Sequence, residues 1–348
     1  MSSEAKGKPS SSSRRNFMKA TGVLTAGLVA EGMAGRVAIA EPLLPFNPAT
    51  PQALPTRNLG RTGFRVGIFS LGGQATVEQP NKEAEAVAIV EKAIDLGINY
   101  IDTAPRYGGA GRWSQRYIGQ VMKRRRNEVY LASKTHDRTR DGSLKLLEES
   151  LRLLNTDHLD AWQLHHVSSM DDVDQIFAKG GAIEAMQQAR EQKLVRFLGV
   201  TGHTDPEVLM ECLRRFPFDQ ILMAVNAADP HHLSFEQKLL PMAVEKQMGI
   251  IGMKIPARGR LLSNWPAVGA YAPGKKQPGP LGIRDAFYYV LSLPVSTVVI
   301  GCDSVEQLAE NVRLAREFTP LSEQQRAALT VKAAPIAREA LFFRRWSS

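Results

Sequence analysis

The sequence predicts an α/β fold, a (β/α)8 TIM barrel built as a single domain. Apolar, β-branched or aromatic runs of about six residues alternate with amphipathic runs of about twelve or more. Eight such pairs follow one another, and eight is the number that closes a parallel barrel. The turn after the first strand reads Leu71-Gly-Gly-Gln-Ala-Thr76. The runner-up, an open doubly wound sheet, announces itself with G-x-G-x-x-G at that turn, and no such pattern occurs in the chain. With 348 residues, 43% of them hydrophobic, the chain can bury a large core.

The strands are expected at 69–72 (Phe-Ser-Leu-Gly), 99–103, 129–134, 159–165, 196–201, 221–226, 249–255 and 297–301. Helical runs follow each, at 82–96, 113–126, 144–155, 183–192, 206–216, 235–247, 282–291 and 305–317, with a further helix near 323–333. Lys123-Arg124-Arg125-Arg126 closes the second helix, where cations suit the negative end of the helix dipole. No aromatic residues interleave with that run, so it reads as a solvated helix end and no nucleic-acid partner is expected. Composition excludes disorder and a multi-spanning membrane protein.

Ahead of the barrel, Ser13-Arg14-Arg15-Asn16-Phe17-Met18-Lys19 is a twin-arginine pattern, followed by a weakly apolar run and the small residues Ala38-Ile39-Ala40. Residues 1–40 therefore read as a Tat signal peptide, too short and glycine-rich for stable membrane insertion. This segment carries +4 of the formal net charge of +9. The Tat export machinery is an expected partner, and a periplasmic location follows. That route exports folded proteins, so a cofactor would be loaded before export. Residues 41–55 read as a proline-rich linker, 56–335 as the barrel and 336–348 as a C-terminal tail. Cys212 and Cys302 lie in different units and suggest no disulfide framework.

In a barrel of this type chemistry sits at the C-terminal ends of the strands. Asp102 ends the second strand, with Tyr107 in the loop after it. Lys134 ends the third and His165 the fourth. Singly, each has an ordinary structural explanation: a turn former, a packing ring, a solvated amine, a satisfied imidazole. Converging at one mouth, they can make a proton donor. A phenol with a pKa of about 10 is a poor acid at neutrality. A neighbouring ammonium would lower that value, the carboxylate would hold the ammonium, and the imidazole would orient a carbonyl. Such a set protonates the alkoxide that forms when hydride arrives from a nicotinamide cofactor.

The chain resembles the aldo-keto reductase family across nearly all of residues 56–318. Asn58-Leu-Gly-Arg-Thr-Gly-Phe-Arg-Val66 is similar to that family's barrel-plugging N-terminal hairpin. Asp102-Thr-Ala-x-x-Tyr107-Gly resembles its signature and Ser114-x-x-x-Ile118-Gly the helix that follows. Lys134 and His165 match the other members of its catalytic tetrad. Gly301, Gln307, Glu310 and Asn311 resemble the adenine-side segment after the eighth strand. The resemblance implies NAD(P)H-dependent reduction of a small-molecule aldehyde or ketone, with Tyr107 as proton donor. The cofactor-binding residues it implies are Gly73, Gln74, Thr201, Asn226, Met253, Lys254, Arg258, Gly301, Asp303, Gln307, Glu310 and Asn311.

The chain also departs from the family pattern. Thr201-Gly202 and Asn226-Ala227 stand where the family has Ser-Asn and Asn-Gln around the nicotinamide amide, and Met253 replaces a stacking aromatic. Asp303 would repel a 2′-phosphate and could accept a ribose hydroxyl, so NADP and NAD both stay open. Arg258 and Arg260 are candidates for the pyrophosphate. The Pro/Gly-rich segment 255–281 reads as a lid or cofactor strap. Two other readings compete. His165, His166, His203, His231, His232 and Asp229 could bind a divalent metal in a hydrolase. Alternatively, a non-catalytic barrel could use bound nucleotide as a redox sensor.

Overall fold

The computed structural model describes residues 43–263 and 278–346. The twin-arginine segment and most of the 255–281 lid or strap lie outside the described residues. Strands β3 (Phe69–Gly72), β4 (Tyr100–Asp102), β5 (Tyr130–Thr135), β6 (Leu159–Leu164), β7 (Val195–Gly202), β8 (Gln220–Ala224), β9 (Gly249–Met253) and β10 (Thr297–Ile300) run parallel and close, β10 pairing with β3. This is the (β/α)8 barrel that the alternation of runs predicts. Side chains alternate across a strand, so each strand feeds two layers. Tyr100, Tyr130, Ala132, Ala161, Leu222, Ile251, Met253 and Val299 fill the interior. Phe69, Leu71, Ile101, Leu131, Trp162 and Leu164 face outward and pack under the helices. The same two-residue period turns Asp102 inward above Tyr100, Lys134 above Ala132, and Gln163 and His165 above Ala161. The tetrad thus belongs to the interior set, one layer nearer the mouth.

The other end of the cylinder is sealed. A hairpin, β1 (Thr56–Asn58) against β2 (Arg65–Gly67), precedes the first barrel strand. Leu59, Phe64 and Val66 from this hairpin join the interior cluster. Its turn presses so closely on β9 that a Cβ at Gly60 would lie 2.2 Å from the Gly249 nitrogen, and Gly60 has φ +55°. Only glycine combines that backbone with that proximity.

Helices α1 (Thr50–Ala53), α2 (Glu83–Asp95), α3 (Trp113–Arg125), α4 (Arg140–Leu153), α5 (Met170–Phe177), α6 (Ala182–Glu191), α7 (Pro206–Arg215), α8 (Leu239–Glu245), α9 (Ile283–Leu291), α10 (Val305–Arg316), α11 (Glu323–Ala333) and α12 (Ala337–Ala340) surround the strands. None among the described residues is long and apolar enough to cross a membrane. The Ser169 side chain caps α5 by accepting from the Asp172 N–H, yet the acidic Met-Asp-Asp-Val-Asp stretch hides this helix from a periodicity search. Helix α8 starts four residues later than expected. Asp229 accepts from the Ser234 hydroxyl and from the Phe235 and Glu236 N–H groups, holding that turn in a loop.

Both flanking segments differ from their sequence readings. The expected linker is docked from Leu44 onward. Asn47 is buried and donates to the Ile94 carbonyl at 2.8 Å, and the Thr50 hydroxyl donates to the Gly97 carbonyl at 2.8 Å. Its prolines shape a fixed path across α2. The expected tail is packed as well: Leu341 is fully buried and Arg344 is 4% exposed. Its basic and aromatic composition reads as a solvated end only until Asp229 and Asp205 are seen opposite it.

Candidate active site

The chemistry begins at β4. Asp102 is the last residue of that strand and pairs in register with Gly72 on one side and Ala132 on the other. From β5, the Lys134 Nζ donates to Asp102 Oδ2 at 2.5 Å and to the Thr103 carbonyl at 2.9 Å. From β6, the Gln163 Nε2 donates to Asp102 Oδ1 at 3.2 Å. Gly73 begins the loop after β3, where a Cβ would meet the Asp102 carbonyl at 2.8 Å and the Ser114 Oγ at 2.4 Å.

Tyr107 follows a tight turn in which its N–H donates to the Ala104 carbonyl at 3.1 Å. Five residues on, the Arg112 guanidinium ties the start of α3 to α4, donating to Gln115 Oε1 at 2.8 Å and to Ser150 Oγ at 2.6 Å. The phenol ring lies with its centroid 5.0 Å from Lys134 Nζ. The His165 ring meets it edge-on, 5.8 Å between centroids at 84°. Asp102, Tyr107, Lys134 and His165 thus come together although 63 residues separate the first from the last.

Burial dominates the electrostatics here. It pushes the Asp102 carboxyl up and the Lys134 amine down, and their attraction opposes both shifts. His165 is held well below the usual imidazole range by burial and then by Lys134, so it is neutral at pH 7. The Tyr107 phenol lies well above its ordinary value because of burial and the Asp102 and Glu78 charges, with Arg258 pulling the other way. The net shift is upward, opposite to the lowering expected from Lys134. Asp102 pairs with the lysine at 2.5 Å and opposes its charge at the phenol. The phenol is accordingly held in its protonated form, the form a donor needs.

A cleft open at the mouth lies beside this set. Of the residues expected to bind cofactor, Gly73, Gln74, Met253, Lys254, Arg258, Gly301 and Asp303 line it, together with Asp102 and Tyr107. Lys254 reaches across to Gln74, its Nζ donating to Oε1 at 3.2 Å. Burial and then Arg258 bring the Lys254 amine down to about 7, against the pull of Glu78. It is protonated below that pH and neutral above. Affinity for an anionic ligand in the cleft is therefore expected to fall as pH rises through 7. Titration of nucleotide binding between pH 6 and 8 would show this slope, and Lys254→Met should flatten it.

The other expected contacts lie outside the cleft lining. The Thr201 hydroxyl accepts from the His166 N–H at 2.9 Å, and Asn226 bridges the Lys254 carbonyl and the Ala228 N–H. Gln307 Oε1 accepts from the Asp303 N–H at 2.8 Å, Glu310 pairs with Arg313, and Asn311 donates to Cys302 Sγ at 3.6 Å. Of the residues of the metal reading, His166 and His203 meet, Nδ1 to Nδ1 at 2.9 Å, but the others are engaged elsewhere. Asp229 pairs with Arg344, His231 bonds the Thr330 carbonyl and His232 stacks on Trp346. No group of three His, Cys, Asp or Glu side chains among the described residues is arranged to hold a metal. Sequence reasoning missed Gln163, although its position two residues before His165 places it on the same inward face.

Comparison with known proteins gives a consistent picture. A family model described as the aldo/keto reductase family matches residues 65–275. An uncharacterized oxidoreductase of Bacillus subtilis, YqkF, is 27% identical over 306 residues, covering 78% of this chain and 94% of that protein. L-galactose dehydrogenase of Arabidopsis thaliana is 29% identical over 304 residues, covering 80% and 93%. In structure, the holo form of the aldo-keto reductase AKR11C1 of Bacillus halodurans superposes with a TM-score of 0.65 at 25% identity, covering 80% of this chain and 96% of that one.

Proposed function

We propose, on the premise that this chain belongs to the aldo/keto reductase family, that it reduces an aldehyde or ketone with a nicotinamide dinucleotide and uses Tyr107 as the proton donor. The observation that supports this most is the meeting of a protonated phenol, a neutral imidazole and a buried Lys134–Asp102 pair at one end of the barrel. In this reading His165 orients the substrate carbonyl and Tyr107 hydrogen-bonds the same oxygen. As negative charge grows on that oxygen, the phenol gives up its proton, and Lys134 is near enough to stabilise the phenolate left behind. Asp102 holds Lys134 in place, and Gln163 holds Asp102.

The cleft suits a dinucleotide, which when bound would supply hydride. Arg258, joined below about pH 7 by Lys254, puts positive charge on one wall. The N-terminus of α10, capped by Ser304, adds positive potential beside Gly301. Met253, Leu222 and Val299 offer an apolar surface for a flat ring. Asp303 at the same end disfavours a 2′-phosphate, which favours NAD over NADP in this chain. The name of the Arabidopsis relative makes sugars the first substrates to try. We further propose that the twin-arginine segment sends the folded protein to the periplasm with nucleotide already bound.

One experiment tests these points together. Protein from a periplasmic fraction would be analysed by native mass spectrometry for co-purifying nucleotide, then assayed for carbonyl-dependent oxidation of NADH and NADPH. Absence of nucleotide, with no turnover of any carbonyl by either reductant, would count against the reading.

A further inference from the structure

The segment read as a tail is joined to the cleft wall through aromatic contacts. Arg344 pairs with Asp229 and donates to the Ala224 carbonyl at 2.9 Å and to the His203 carbonyl. Its guanidinium lies 3.8 Å from the centroid of Phe235 and 5.2 Å from that of Phe343. Both terminal nitrogens of this buried guanidinium are thus paired, which offsets the cost of burying its charge, while Nε has no partner among the described residues. Arg345 pairs with Asp205, and Trp346 stacks on His232 at 3.8 Å between centroids. Three successive residues thus fix the segment to the loops after β7 and β8.

Fixed in this way, the segment places the Phe342 ring under the loop after β9. The Arg260 guanidinium lies 4.1 Å from its centroid and that of Arg258 5.6 Å. Arg258 lines the cleft. The loop is conformationally costly: Lys254, Ala257 and Arg258 have φ of 63°, 51° and 55°. Non-glycine residues hold such a backbone only where their surroundings impose it. Phe342 supplies part of that imposition, since a cation over an aromatic face is attracted to it.

We infer that Phe342 is a positioning residue for the cleft: carried on a segment anchored by Arg344, it holds Arg258 where the phosphates of a bound dinucleotide are recognised. This rests on the dinucleotide reading above. Phe342 itself touches no ligand in this scheme and acts through Arg258.

The test is a double-mutant cycle read by calorimetric titration of NAD and NADP, using the full chain. Phe342→Leu keeps an apolar side chain at a half-buried position and should leave the melting temperature nearly unchanged. It should raise the Kd of the nucleotide that wild type binds by about 2- to 5-fold, the range of an exposed to partly buried cation–π contact. Phe342→Tyr, which keeps the ring, should restore wild-type Kd. In an Arg258→Met background Phe342→Leu should have no further effect. Equal effects of Phe342→Leu in both backgrounds, or an unchanged Kd in the single variant, would overturn the inference while leaving the dinucleotide reading intact. Wild-type protein that binds neither nucleotide would overturn that reading instead.

Discussion

Tyr107→Phe is expected to abolish turnover while nucleotide affinity stays nearly unchanged. The loss should be about 10²- to 10⁴-fold in kcat, the contribution of a positioned proton donor. The substitution removes one oxygen and one proton. The ring stays, with its edge-on contact to His165 and its approach to Lys134, so the wall of the cleft is preserved. Single-turnover oxidation of pre-bound reduced nucleotide separates the two quantities, and a variant as active as wild type would remove Tyr107 from the mechanism. The pH profile adds a second check. Burial and the Asp102 charge hold the phenol well above its ordinary value. The donor form should therefore persist through neutrality and through the ordinary tyrosine pKa of about 10, with no alkaline loss attributable to Tyr107 below that point.

Lys134→Met should be the most destabilising single change at the site. Lys134 and Asp102 have side chains 1% and 3% exposed. Without the amine, the Asp102 carboxylate would be left buried with the Gln163 amide, 3.2 Å away, as its remaining side-chain donor. Breaking one side of a buried pair costs about 3–5 kcal/mol. At about 2 °C per kcal/mol for a large domain, Tm should drop by roughly 6–10 °C. The sign of the pH dependence is fixed as well. Burial already holds the Asp102 carboxyl above its unfolded value, and losing the lysine raises it further. A carboxyl raised in the folded state binds its proton more tightly there than in the unfolded chain. The variant should therefore recover stability as pH falls through the raised value and be weakest above it. Adding Asp102→Asn should return most of the loss at neutral pH. Thermal melts of the two variants at pH 5 and pH 8 would decide, and a pH-independent deficit would contradict the account.

The barrel was legible because its signal is repetitive. Eight strand runs fall within a few residues of the observed strands, since alternation of apolar runs and amphipathic runs is a property of each segment by itself. The tetrad was legible for a related reason: Asp102, Lys134 and His165 each stand where an apolar run ends. The fate of the two flanks was not legible. Nothing local distinguishes the Asn47 and Thr50 side chains, which bond the end of α2, from those of a free linker. Nothing local tells Arg344 that Asp229, 115 positions away, will be its partner. Long-range ion pairs leave no periodic trace. The same limit explains the misread phenol. The Lys134–Asp102 pair was expected and is present, but the lowering of the phenol was reasoned from the ammonium alone, whereas burial and the Asp102 and Glu78 charges raise it. Gln163 was within reach of a parity argument, counted back from His165 along one strand.

The hairpin carries a consequence for traffic. With the interior packed and Leu59, Phe64 and Val66 capping its far end, the barrel is a cup and not a tube. Reactant and product share a single doorway, and on the proposed reading the dinucleotide rests across part of its sill. Whatever lies deepest must arrive before the rim is covered or wait until it clears. The single doorway thus follows from the packed interior layers, of which the three hairpin side chains are the outermost at the floor.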